Sequence, residues 1–421
     1  MIQPPTKLHE TFRAPRPSAI PAPDQDVIIT QPLARGASFS RHQCSDTHAS
    51  TSTQISSTTE TSSTIICHKM CDFSKYGVPS QEWLRVEATL PVVKEQSLSE
   101  LKLAANEGRE LVARQAMAEF SNQVSTHDHL ISGRDGYKLE ARSYRPTSPS
   151  PTDVLPIYIH FHGGGFLFGT LSSEDAICSR LAINTQAVVV NVNYRHTPDY
   201  TYPTAWNDAE DAFLWVCRNT AQLSGDPDKI VIGGISAGAW LAASLTRAAS
   251  SSKLAVSPTP AICGQVLMIP ALVYTECYDS QLRQIKDPSV SSYSQNENAP
   301  ILNMRRKQMF NNLLKVENPD PTDQRLNPGL LSSDDAKNLP PTTLGIAGYD
   351  PLRDEGLLYG KLLAENGVPT NVNVFKGVPH GFRRFGERLS ACKQWDRVME
   401  DGILWALKKP SASGEFIIQE Y

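Results

Sequence analysis

Residues 229–247, KIVIGGISAGAWLAASLTR, constrain the chain more than any other stretch. Ile230, Val231 and Ile232 form an apolar β-branched run, which favours a strand. Gly233-Gly234-Ile235-Ser236-Ala237-Gly238 then turns the chain, and Ala- and Leu-rich sequence leaves the turn as a helix. A strand that feeds a helix through so short a turn belongs to an α/β layer architecture. Gly234, Ser236 and Gly238 make a G-x-S-x-G pattern on the turn. So tight a turn forces Ser236 into a strained backbone conformation, and the glycines let neighbouring backbone pass without a Cβ clash. The hydroxyl is then held above the sheet, beside a helix N-terminus whose free N–H groups favour a developing anion. A turn that only packs has the same local pattern, so the rest of the chain must decide between the two.

Strands and helices alternate on both sides of this turn, which predicts a mostly parallel sheet. Strands are expected over 156–161, 187–194, 230–232, 262–269, 342–347 and 370–375, preceded by two at 128–132 and 137–144 around the turn Gly133-Arg134-Asp135-Gly136. Helices are expected over 173–184, 204–217, 355–366 and 389–407. Between 97 and 120 a longer helical pattern places Leu98, Leu101, Leu103, Leu111, Val112 and Met117 on one amphipathic face. Residues 277–323 break the rhythm with polar sequence and a helical patch at 304–314. The fold class is therefore α/β, with helices on both faces of the central sheet.

Residues 1–69 have a different texture. Seven prolines break the first half, and from Ser45 to Thr64 nearly every residue is Ser or Thr. Such sequence cannot bury enough apolar surface to offset its ordering entropy, so this Pro/Ser/Thr-rich tail is expected to be disordered. Residues 410–421 are expected to be a C-terminal tail.

With 40 basic and 44 acidic residues, the 421-residue chain has a formal net charge of −4 and no basic footprint for nucleic acid. No apolar run is long enough to span a membrane. The N-terminus lacks the apolar core of a secretory leader, and a cytoplasmic location is expected. Eight scattered cysteines do not form a disulfide framework. Cys67-His68-x-x-Cys71 lacks a second ligand pair at zinc spacing, so no metal is expected.

Two further stretches carry chemistry. His162-Gly163-Gly164-Gly165-Phe166 follows a strand, and three consecutive glycines cost conformational entropy that needs a reason. A loop whose N–H groups approach a ligand supplies one, as an oxyanion hole does together with the N–H after the nucleophile, here Ala237. A serine at its ordinary pKa also needs a base. Of ten histidines only His380 follows Ser236, in GVPHGF after the last strand. The orienting acid is expected between them, after a strand. Asp350, ending GIAGYD, is preferred to Asp354. Asp354 and Glu355 are explained by the first turn of the next helix, where acids are favoured by the macrodipole.

With these residues in hand, the chain resembles the hormone-sensitive lipase family of α/β-hydrolase carboxylesterases, its fungal esterases included. HGGGF at 162–166, YRHTPDYTYPTAWND at 194–208, GISAG at 234–238, DPLRDEG at 350–356 and VPHGF at 378–382 stand in the family's order. The resemblance covers about residues 72–409. It implies an eight-stranded, mostly parallel sheet under a helical cap drawn from about 72–127 and 277–325. It implies Ser236, Asp350 and His380 as catalytic residues, Gly164, Gly165 and Ala237 as the oxyanion hole, and His162, Gly163, Gly234 and Gly238 as supports. Tyr194, Arg195 and Asp208 are expected to be scaffold. Phe166 and Trp240 are expected to crowd the substrate pocket on the acyl side. Ile235 departs from the family's usual Asp before the serine, and Ala239 from its final Gly.

The expected activity is hydrolysis of short- to medium-chain acyl esters through a Ser-His-Asp acyl-enzyme, an acetyl or acyl ester of a secondary metabolite being one such substrate. No cofactor is expected, and the partner is a small-molecule ester. The oligomeric state is open, a dimer included. The alternatives are a non-catalytic small-molecule receptor and a lyase or dehydratase on the same scaffold. Receptors of this type have lost the triad histidine, whereas His380 is present.

Overall fold

The computed structural model describes residues 70–421 apart from 92–95, 121, 149, 252–253 and 255–261. The Pro/Ser/Thr-rich segment 1–69 and the Cys67-His68 pair lie outside the described residues.

The described residues build one nine-stranded sheet. Its strands are β1 (Val124–Ser132), β2 (Lys138–Pro146), β3 (Leu155–Phe161), β4 (Val188–Asn193), β5 (Gly225–Ile235), β6 (Ile262–Met268), β7 (Thr342–Tyr349), β8 (Thr370–Pro379) and β9 (Ile418–Glu420). They lie in the order β1-β2-β4-β3-β5-β6-β7-β8-β9. β1 and β2 form an antiparallel edge, β2 meets β4 antiparallel, and every pair from β4 to β9 is parallel.

The central strands read as largely apolar runs, interrupted by the buried His160, Asn191 and Gln265, because both faces are covered. Alternate residues go to opposite sides. Ile157, Ile159, Val190 and Ile232 join one core cluster, whereas Tyr158, Val189 and Val231 join the other. Helices α4 (Thr204–Arg218), α5 (Ala237–Ser250) and α10 (Arg353–Glu365) cover the first face. Helices α1 (Gln81–Glu87), α3 (Asp175–Thr185) and α11 (Ser390–Leu407) cover the second. The other α-helices among the described residues are α2 (Leu98–Ala116) and, between β6 and β7, α6 (Asp279–Leu282), α7 (Ser292–Gln295), α8 (Met304–Leu314) and α9 (Ser333–Ala336).

Three features differ from the sequence reading. The segment expected as a C-terminal tail adds a ninth strand, which pairs Val372 with Ile418 and Val374 with Glu420. The Tyr421 ring stacks on Phe375, and Lys376 N–H donates to Tyr421 O at 2.9 Å. Three residues are too few to show a period, and this strand exists only through the edge it joins.

Helix α2 also turns the other way. Leu103, Leu111 and Val112 are more than half exposed. Its inward face carries Lys102, Asn106, Arg109, Glu110 and Ala113 instead, because its partner is the polar loop after β3.

Finally, Asp354 and Glu355 are wholly buried rather than surface acids at a helix start. Asp354 accepts from Arg353 Nε at 2.7 Å and Ser292 N–H at 2.6 Å. Glu355 accepts from the N–H groups of Leu272 and Val273 and from the Tyr293 hydroxyl. Lys307 lies 3.5 Å from Glu355. Together these groups tie the segment between β6 and β7 to the first turn of α10. No described helix is long and apolar enough to cross a membrane.

Candidate active site

Four parallel strands carry the candidate residues at their C-terminal ends. β3 leads into His162–Phe166, β5 into Ser236, β7 into Asp350 and β8 into His380. Each loop follows a strand fixed on both sides, so the loop origins are rigid.

Ser236 occupies the turn between β5 and α5 at φ 56° and ψ −116°, a strained conformation for a residue with a side chain. The surroundings hold it there. Ser236 N–H donates to Met268 O at 2.8 Å, and Trp240 N–H donates to Ser236 O at 3.0 Å. A Cβ at Gly238 would collide with Phe161 O, and one at Gly234 with the Gly238 backbone, so the turn needs both glycines.

Ser236 Oγ lies 2.9 Å from His380 Nε2. His380 Nδ1 lies 2.7 Å from Asp350 Oδ2. A carboxylate only accepts, so Nδ1 carries the proton and Nε2 is left to accept from the serine hydroxyl. Asp350 is 1% exposed, and its second oxygen accepts from Leu352 N–H at 2.9 Å. The structure thus brings together three residues separated by up to 144 positions.

The glycine loop is shaped for donation. Gly164 and Gly165 have φ values of 144° and 62°. Leu167 and Phe168 N–H groups both donate to Gly164 O, which closes the loop on itself. Among the described residues, no protein acceptor takes the N–H of Gly164, Gly165 or Ala237. Ala237 opens α5, where the first N–H groups lack intrahelical partners.

His162 supports this loop. Its ring stacks on Tyr194 at 4.4 Å, and the Tyr194 hydroxyl donates to His162 O at 2.8 Å. Burial lowers the His162 pKa to about 4, which keeps the buried ring uncharged near neutral pH. Arg195 and Asp208 pair at 2.6 Å away from the serine, as scaffold.

Sequence reasoning missed a second support. Arg109 on α2 donates from Nη1 to Gly163 O at 3.0 Å and from Nη2 to Glu174 at 3.0 Å. Glu174 also meets His160 Nε2 at 3.2 Å. Burial alone would raise the Glu174 pKa. The hydrogen bond to His160 and the Arg109 charge outweigh it and hold the carboxyl at about 2. The signal was available as a polar stripe at 102, 106, 109 and 110, but the apolar residues of α2 drew attention to its other face.

Phe166 and Trp240 do not crowd an open pocket. Both are 2% exposed and belong to an aromatic core cluster with Trp206, to which Phe166 stacks at 4.8 Å. Trp240 donates to Leu326 O. The aromatic residues over the glycine loop are Phe168 and Phe310, in edge contact at 5.7 Å. A Cβ at Gly165 would fall 2.6 Å from the Phe310 ring. Ile235, half-buried, packs against the second core cluster.

A family model described as an alpha/beta hydrolase fold matches residues 158–384, more than half of the chain. The chain is 32% identical over 289 residues to esterase LipI of Mycobacterium tuberculosis, covering 67% of this chain and 83% of that protein. It is 34% identical to versiconal hemiacetal acetate esterase of Dothistroma septosporum, covering 54% and 66%. Among solved structures, vibralactone cyclase matches with a TM-score of 0.72 and 27% identity over 81% of this chain and 99% of that one. An esterase of Pyrobaculum calidifontis matches with a TM-score of 0.65 and 30% identity over 77% and 98%.

Proposed function

Since the chain belongs to the α/β-hydrolase family, as a carboxylesterase of its hormone-sensitive-lipase-like branch, we propose that Ser236, His380 and Asp350 are its nucleophile, base and orienting acid. The observation that carries this is the continuous relay from Ser236 Oγ through the His380 ring to buried Asp350, at 2.9 and 2.7 Å. Ser236 attacks the acyl carbonyl while His380 Nε2 takes its proton. The N–H groups of Gly164, Gly165 and Ala237 receive the developing oxyanion. His380 returns the proton to the leaving alcohol, and the acyl-enzyme forms. Water, deprotonated by the same nitrogen, then releases the acid.

An intact relay to His380 argues against a receptor that has lost its base, and the named esterase relatives against a lyase. Phe168 and Phe310 beside the glycine loop favour a short acyl chain, and one relative is named for an acetate ester. A short- to medium-chain acyl ester is therefore the substrate class. A cytoplasmic location belongs to the same reading. Cys71, Cys178, Cys217, Cys263, Cys277 and Cys392 are all free thiols, which suits a reducing compartment.

Hydrolysis of p-nitrophenyl esters from C2 to C16 by the wild type and by Ser236→Ala, His380→Ala and Asp350→Asn tests this. Each variant should lose most of kcat, because the three residues act as a unit, leaving only about 10³–10⁴-fold over the uncatalysed rate. The wild type should favour C2–C6. Full activity in Ser236→Ala would overturn the mechanism, and preference for C16 would overturn the substrate class.

A further inference from the structure

Besides Arg109, which braces the glycine loop, two guanidinium groups with no part in the proposed hydrolysis lie on elements that border the site. Arg384 follows His380 by four residues, and its Nε donates to Gly381 O at 3.1 Å. Arg306 lies one helical turn before Phe310 on α8, so the two share a face. Its Nη1 donates to Ile301 O at 2.7 Å, and the Phe310 ring on the same face lies directly over Gly165 of the glycine loop. Arg109 approaches from α2 and binds Gly163 O. Three elements distant in sequence thus bring positive charge to one mouth.

Like charges repel, so such a gathering needs compensation. Arg109 has Glu174. Arg306 and Arg384 form no ion pair with a carboxylate among the described residues, and their side-chain hydrogen bonds go to the backbone carbonyls of Ile301 and Gly381. Arg384 stays solvent-exposed, and desolvation by the neighbouring protein, with the charges of Arg109 and Arg306, lowers its pKa. Burial lowers that of Arg306 as well. The chain's formal net charge is −4, so the positive mouth does not come from a generally basic surface.

We propose that Arg306 and Arg384 form an anion-recognition site at the mouth, and that the preferred ester carries a carboxylate near its scissile bond. A half-ester of a dicarboxylic acid has that group on the acyl side, and an acylated hydroxy acid has it on the alcohol side. The guanidinium forks suit a carboxylate, binding it through charge-assisted hydrogen bonds. Their field also raises the encounter rate with an anionic substrate and excludes cationic esters. The proposal rests on Ser236, His380 and Asp350 forming the triad.

Two matched ester pairs test it, differing only in charge. On the acyl side these are p-nitrophenyl hydrogen glutarate and its methyl ester, and on the alcohol side 4-acetoxybenzoate and its methyl ester. The wild type should prefer the anion in at least one pair by about tenfold or more in kcat/KM, and the pair that responds identifies the side. Adding 0.5 M NaCl should erode the preference, because screening shortens the reach of the field to a few ångström. Arg306→Gln and Arg384→Gln should each reduce the anionic-to-neutral ratio severalfold, and the double variant should abolish the preference. A wild type that prefers the neutral ester in both pairs overturns the proposal even if no variant folds, as does a ratio unmoved in folded variants. If the wild type hydrolyses none of the four esters and Ser236→Ala changes nothing, the esterase mechanism has failed, not the charge recognition alone.

Discussion

Asp350 and Asp354 stand four residues apart, yet the fold gives them opposite tasks. Asp350 faces His380, whereas Asp354 is locked to Arg353 and the Ser292 N–H at zero exposure. Asp350→Asn should cut kcat steeply with little change in Tm. Asp354→Asn should do the reverse, costing roughly 3 kcal/mol or more by leaving the buried Arg353 guanidinium without its counter-charge. Thermal denaturation and kcat measured on the same preparations separate the two, and the opposite ranking would show that the wrong carboxylate holds the histidine. The sequence distinguishes these acids because one ends a β-strand, the position at which open α/β sheets present their chemistry. What it does not reveal is the burial of Asp354 and Glu355. An acid in the first turn of a helix looks the same whether solvent or a folded-back segment covers it. Phe166 and Trp240 fail as pocket residues for a related reason. Being next to a catalytic motif in sequence does not set the side of the sheet to which a ring points.

At the scale of elements, every strand that carries a proposed catalytic loop was legible, because a strand buried on both faces leaves an apolar β-branched run. Helix α2 was legible as a helix but not in its orientation. Periodicity reports which residues share a face, and only the partner decides which face is inward. Here the partner is a polar loop, so Arg109 and Asn106 turn in while Leu103 and Val112 turn out. Arg109 is then a positioning residue for the glycine loop. Arg109→Met should lower kcat on neutral esters by about tenfold with a smaller change in KM, as expected for a lost charge-assisted hydrogen bond. Arg109→Lys should recover part of that loss, and an unchanged kcat in Arg109→Met would remove α2 from the account. The groups bracing the glycine loop should make the protein acid-labile. His162 falls from 6.5 to about 4 on folding, so between those values the unfolded chain binds a proton that the folded chain does not. Stability therefore falls as pH drops through that window. Glu174, lowered from 4.5 to about 2, contributes stability that is present above pH 4.5 and lost as pH falls toward 2. Tm measured from pH 7 to pH 3 should decline throughout, more shallowly below pH 4.5 in Glu174→Gln. A flat wild-type profile would contradict both groups.

At the scale of the whole molecule, the sheet continues to the last residues of the chain. β9 covers the edge of β8, the strand that leads into His380, and Glu420 meets Lys75, Tyr76 and Lys376. A chain ending at Lys409 should lose this cover and expose the unpaired edge, which templates association. A lower Tm, by roughly 2–4 °C for each kcal/mol lost, should accompany light scattering on heating. An unchanged Tm would make β9 an ornament of the edge. The α/β class, the strand sequence and the order of the motifs could all be read from the chain, since each rests on local patterns. The ninth strand and the closure of the segment between β6 and β7 over α10 depend on contacts between distant residues, which no local period records.

The central claim is that Ser236 is a nucleophile activated by His380. Covalent labelling with a fluorophosphonate, followed by intact mass and peptide mapping, tests it most directly. The wild type should gain one phosphonyl group, mapped to Ser236. Ser236→Ala should gain none, and His380→Ala should react far more slowly. A label on another residue, or equal labelling of Ser236→Ala, would contradict the account.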